Sequence, residues 1–363
     1  MKRLLWTLTL TAGVAHAQVS GPLHPATYVT AGWAQTVGGQ GGKLIRVTTL
    51  AAEGPGSLKQ ALETTGPRTI VFEVGGVIDM GGASWKLREG RVTIAGQTAP
   101  DPGITLIKGE LEVFAKDVIL QHISIRPGAY GRAKRSGNDH DGLSTGDGAE
   151  RVIVDHCSFS WATDENISVG GHRFEGATPD DWRAHTSHAI TYSHNLIYEG
   201  LNEAVHTKGE HSKGSLIHDN ATQILLLGNV YASNRERNAL FKGGVWGAMV
   251  NNLIYNPGWR AVHYNLIAHE WLGRPYQTGK ITLAGNVYRA GPNTALNLPM
   301  FTLGGVGDVQ LYEQDNLAVD RQGHPLPLTG RYTTAAEIVP VREPYLPAGV
   351  KWVPPRELEK LLP

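Results

Sequence analysis

The sequence predicts an all-β protein: a single right-handed parallel β-helix with a short N-terminal capping helix and an extended C-terminal segment. Three observations carry this. An aliphatic block of strand length recurs, as VILQHISI from Val118, VIVDHCSF from Val152, ITYSHNLI from Ile190, ILLLGNVY from Ile224, AMVNNLIY from Ala248, ITLAGNVY from Ile281 and, more weakly, VQLYEQDNL from Val309. An asparagine holds one offset in the later copies, at Asn195, Asn229, Asn252, Asn286 and Asn316. The spacings between these asparagines, 34, 23, 34 and 30 residues, are uneven. A constant block with elastic spacers suits stacked coils carrying loops of different length better than a solenoid of fixed period. An antiparallel sandwich or jelly roll would also show many short strands. It has no need for the same buried amide in each, whereas coils stacked edge to edge can hydrogen-bond such amides up the stack.

In chain order, Lys2 and Arg3 precede an apolar stretch from Leu4 to Val14 and a small-x-small site, Ala15-His16-Ala17. That pattern reads as a secretory signal peptide over residues 1–17; the stretch is shorter than the ~20 residues that span a bilayer. The expectation is a secreted or periplasmic monomer with no membrane attachment after cleavage. The β-helix is expected over residues 18–322. Within it, Ser57–Leu62 follows a Gly-Pro-Gly turn and suits a short helix capping the open end of the stack. Residues 323–363 are Pro-rich (HPLPLTG, VPVREPYLP, WVPPRELEKLL) and are expected to lie extended on the outside, with a short helical end.

Composition narrows the function. The 363 residues carry 33 Lys and Arg against 33 Asp and Glu. There is no overall field for nucleic acid, and any polyanion must be held by a local basic cluster. The lone cysteine, Cys157, excludes an intramolecular disulfide framework and thiolate zinc clusters. His185, His188, His206 and His211 match no standard zinc spacing, and no G-x-S-x-G nucleophile motif occurs.

Three blocks concentrate ionisable residues. NDHDGLSTGDG and VDHCSFSWATDENIS hold Asp139, Asp141, Asp155, Asp164 and Glu165; EGLNEAVHTKGEHSKG holds Lys208 and Lys213; NRERNALFKGG holds Arg235, Arg237 and Lys242. Asp139 and Asp141 alternate on an extended chain, so both carboxylates face one side and fit a hard cation such as Ca²⁺; a solvated turn has the same composition. Arg235 and Arg237 likewise share a side and suit carboxylate recognition, with a surface ion-pair patch around Glu236 as the alternative. In a β-helix, equivalent offsets fall on one flank of adjacent coils. Acidic and basic blocks would then line one groove, fit for an acidic polymer and a divalent cation. Trp161, Trp246 and Trp259 could stack on sugars or simply pack.

At these residues the chain resembles the pectate lyases of polysaccharide lyase family 1. The resemblance runs from AGWAQTVGGQGGKLIRVTTLAAEGPGSLKQAL and GPRTIVFEVGGVI through VTIAGQTAPDPGITL and VIVDHCSFSWATDEN to NRERNALFKGG and NNLIYNPG. It implies the same pectate lyase-like β-helix and Ca²⁺-assisted β-elimination on α-1,4-galacturonan, the pectate of plant cell walls. Carried over, it implies Arg237 as the proton-abstracting base, Lys213 and Lys242 as substrate-binding residues, and Asp139, Asp141 and Asp164 as Ca²⁺ ligands; Lys208 and Arg235, in the same basic blocks, are expected to join the substrate-binding residues. Asp155 and His156 match a strand motif taken as structural. Two positions depart from the family pattern. Ser168 stands where a calcium-binding aspartate is usual, with Glu165 able to compensate, and Ala239 replaces a proline in the arginine block. A β-helix glycoside hydrolase built on the aspartates and a non-catalytic polyuronate-binding protein are the alternative readings.

Overall fold

A computed structural model describes residues 32–137 and 139–361; the expected signal peptide lies outside them. The chain is a right-handed parallel β-helix. Each coil passes through three sheets in turn. The first sheet has eleven strands and the second and third nine each, all neighbouring strands parallel. Among the described residues, no helix is long and apolar enough to cross a membrane.

Each sequence block proves to be two strands around a corner rather than one. VILQHISI, for example, divides into the first-sheet strand Lys116–Gln121 and the second-sheet strand Ile123–Arg126. The corner residue is left-handed in every copy: His122, His156, His194, Gly228, Asn251, Gly285 and Asp315 have φ between 50° and 66°. At Gly228 a side chain would also collide, since a Cβ there would sit 2.9 Å from the His194 ring. The strands stack in strict register, so like meets like inside. Val118, Val152, Ile190, Ile224, Gly247, Ile281 and Leu311 form one interior row of the first sheet.

The residue after each corner supplies the asparagine ladder. Cys157 N–H donates to Asn195 Oδ1 at 2.9 Å. Each of Asn195, Asn229, Asn252 and Asn286 then donates both its backbone N–H and its side-chain amide to the Oδ1 of the next asparagine, at 2.9–3.0 Å. The ladder ends at Asn316. Below it, Asp155 is 2% exposed and accepts from His156 Nδ1 (2.7 Å), His194 Nδ1 (3.0 Å) and Ser193 Oγ (2.7 Å). With Gln121 Nε2 of the preceding coil donating to Asp155 at 3.3 Å, the Asp-His motif ties three coils together as structure.

The short helix near the start is Leu58–Glu63, capped by the Ser57 side chain and burying Leu58, Ala61 and Leu62. Buried Arg68 anchors it by donating to the carbonyls of Ala61 and Leu62. A second helix, Pro179–His185, was not foreseen, although Thr178 and Asp181 form a capping box with Pro179 at its start. The C-terminal segment divides. Thr329–Arg331 and Ile338–Pro340 extend the third and first sheets. Leu346, Val350 and Trp352 lie over Leu225, Ala248 and Val250 on the first sheet's outer face, and Pro355–Leu361 is helical.

Candidate functional site

The turns from the second sheet to the third carry the chemistry. Asp139 and Asp141 lie in 127–142, Asp164 in 161–164, Lys208 in 199–212, and Arg235 and Arg237 in 233–239. Glu165 and Lys213 open neighbouring third-sheet strands and face each other in register, and Lys242 ends the next. One flank of the coil stack therefore gathers residues spread over a hundred positions of sequence.

Arg237 is largely buried, in the left-handed conformation, and its guanidinium pairs with the Glu165 carboxylate. Asp141 is hydrogen-bonded by the Ser168 hydroxyl and accepts the Glu165 N–H at 3.0 Å; its own N–H reaches Glu110 at 2.9 Å. Ligand atoms of Asp141, Asp164 and Glu165 all lie within 4.8 Å of one another. Burial, and then the Asp164 charge, push the Asp141 carboxyl well above its ordinary range. A hard divalent ion among these buried carboxylates would favour their charged forms. Burial also works against the Asp164 anion, but the His211 hydrogen bond and the nearby His211, His206 and Arg237 charges hold it below the usual carboxylate range.

Asp139 is not part of this compact donor group. Its carboxylate faces His206 Nε2 at 3.5 Å. His206 and His211, which sequence spacing set apart from any metal pattern, stack at 3.6 Å with their rings nearly parallel, and His211 Nε2 meets Asp164 at 2.6 Å. Asp164, His206 and His211 form a second compact donor group. His185 and His188 take no part, each bonding a nearby backbone carbonyl.

The basic residues are already partnered. Lys213 pairs with Glu236, Lys242 with Glu270 at 2.6 Å, and Arg235 with Glu210 at 2.8 Å. The ion-pair patch around Glu236 exists, but Lys213 and Arg260 build it rather than Arg235 and Arg237. Lys208 is exposed, and its N–H caps His206 Nδ1. Arg235 and Arg237 diverge: Arg235 lies 4.3 Å over the Trp259 ring while Arg237 goes inward to Glu165. Glu270, Arg260 and Glu110 escaped the sequence reading; Glu236 entered it only as the centre of an ion-pair patch between the two arginines.

Beneath the site His263 is buried, its Nδ1 without a partner, and burial lowers it to about 3. In the unfolded chain it would take its proton near 6.5. Between pH 6.5 and 3 the unfolded state thus binds more protons, and stability falls as pH falls through that window. The expected result is a melting temperature that drops on acidification from pH 6.5, with a shallower slope in His263→Phe; equal slopes would contradict it.

No family model matches the chain. A probable pectate lyase C of Neosartorya fischeri is 34% identical over 288 residues, covering 78% of this chain and 59% of the relative. One from Aspergillus fumigatus is 34% identical over 264 residues, covering 72% and 53%. The chain thus spans between half and three-fifths of the length of these two relatives. Among solved structures, a pectate lyase bound to a hexasaccharide superposes with TM-score 0.60 at 13% identity, covering 92% of this chain and 95% of that one. A thermostable pectate lyase gives 0.61 at 14% over the same shares. The major cedar-pollen allergen jun a 1 gives 0.58 at 16%, covering 91% and 90%. At these identities the likeness to the solved structures is one of fold.

Proposed function

Because the chain belongs to the pectate lyase family, we propose that it is an exported lyase that cleaves α-1,4-galacturonan by β-elimination, with Arg237 as the base. The observation that supports this best is the meeting of Arg237 with Asp141, Asp164 and Glu165 from separate coils. In the reaction the C5 proton, α to the uronate carboxylate, passes to a neutral Arg237. The C4–O bond breaks, a C4–C5 double bond forms, and the departing oxygen takes a proton. Guanidinium groups are ordinarily fully protonated. Burial lowers Arg237 in the direction the role demands, and Arg260 adds to it, while Asp164 and Asp141 oppose it. Lys213 and Lys242 would hold substrate carboxylates, exchanging Glu236 and Glu270 for them.

The oxygen donors of Asp141, Asp164 and Glu165 fit Ca²⁺, and Ser168 keeps a hydroxyl on Asp141 where the family usually has another carboxylate. When bound, Ca²⁺ supplies positive charge that stabilises the developing enolate.

The test is absorbance of the unsaturated uronide during incubation with polygalacturonate, with and without EGTA. Release of reducing ends without that absorbance would indicate a hydrolase, and neither signal a binder. Asp141→Ala should raise the Ca²⁺ concentration for half-maximal thermal stabilisation and for half-maximal activity by about tenfold. Superimposable Ca²⁺ titrations would remove Asp141 from the ligand set.

A further inference from the structure

Beside Arg237 the flank opens into a cleft of about 680 Å³, a volume typical of a small-ligand site. Trp161 and Trp259 both line it and stand 48% and 50% exposed. Two half-exposed indoles in one cleft offer flat apolar surface of the kind that covers the C–H face of a sugar ring. Trp246, by contrast, is covered by Arg183 and Lys280 at 4.3 and 3.9 Å from its ring and belongs to packing.

The charges in the cleft do not suit a free uronate. Among the described residues, Arg235 is the only cation lining it and Glu199 the only carboxylate. Arg235 is committed to Glu210 at 2.8 Å and to the Trp259 face at 4.3 Å. Glu199 accepts from Trp161 Nε1 at 3.3 Å. An incoming carboxylate would find one cation in this lining, already paired with Glu210, and would meet the Glu199 anion. The remaining polar wall is neutral, with Asn202, Asn256, Asn293 and Thr294, and Asn202 Oδ1 is a buried acceptor with no donor.

The cleft shares its turns with the charged site. Ser212 lines it and precedes Lys213, and Arg235 lies two residues before Arg237. A polymer with an acidic unit at Arg237 would place its neighbours here. We propose that this cleft is a subsite for an uncharged unit of that polymer, a methyl-esterified galacturonate, so that the protein acts beside esterified stretches. This rests on the galacturonan reading above.

The test is calorimetric titration of the full chain, in an Arg237→Lys background to slow turnover, with galacturonate hexamers that are fully acidic or partly methyl-esterified, the latter keeping free carboxylates. Adding Trp259→Ala should lower the ratio of affinities, esterified over acidic, about tenfold. Trp161→Ala should lower it in the same direction, and Trp259→Phe should restore most of it. Both indoles are half exposed, so thermal melts should show the variants folded. If the two affinities fall equally, or neither falls, the subsite is overturned while galacturonan binding stands. If neither hexamer binds the parent, the galacturonan reading fails and takes the subsite with it.

Discussion

Arg237→Ala should reduce formation of unsaturated uronide by about a thousandfold or more, since loss of a positioned base costs 10²–10⁴. The substitution does more than remove a base. Glu165 is 3% exposed and pairs with the Arg237 guanidinium, and stripping the partner from a buried carboxylate costs about 3–5 kcal/mol. The alanine variant should therefore also melt earlier, and its inactivity alone would not identify the base. Arg237→Lys separates the two effects. It keeps a cation for Glu165 and so most of the stability, yet it lacks the guanidinium and its reach. The double variant Arg237→Ala with Glu165→Gln should regain stability without regaining turnover. If Arg237→Lys, folded as the parent, turns over within about threefold of it, Arg237 is not the base. The stacked His206 and His211 beside Asp164 would then be the next groups to examine.

Sequence reading reached the coils more surely than the site, for a physical reason. Stacking forces chemically alike residues into register, so Val152, Ile190 and Ile224 or Asn195, Asn229 and Asn252 declare themselves by repetition. The corners were hidden inside those blocks. Their signal was a left-handed position filled by Gly, Asn or Asp in four coils, residues that tolerate positive φ, and by histidine in the other three. The site follows no repeat. Asp164 lies 47 residues from His211 and Lys242 lies 28 from Glu270, in different turns of unequal length. Family likeness could nominate Arg237 and Asp141, but not the carboxylates that occupy Lys213 and Lys242, nor the split that sends Asp139 to His206 rather than to Asp141.

Asn252→Leu should destabilise the fold by about 3–6 kcal/mol, the largest effect expected away from the groove. Asn252 is fully buried, and its Oδ1 accepts both the N–H and the side-chain amide of Asn229 at 2.9 and 3.0 Å. Its Nδ2 donates to Asn286 Oδ1 and to the Leu226 carbonyl. Leucine has the same branching and is somewhat bulkier, so no cavity forms. What remains is two donors and at least one acceptor buried without partners, each costing ~1–3 kcal/mol. Against a typical domain stability of about 5–15 kcal/mol, that loss would lower the denaturant midpoint markedly. Asn316→Leu is the internal control. It lies at the end of the ladder, is only half-buried, and accepts from Asn286 while no further asparagine accepts from it, so its cost should be clearly smaller. Equal midpoints for Asn252→Leu and the parent would mean that the aliphatic rows alone hold the coils in register.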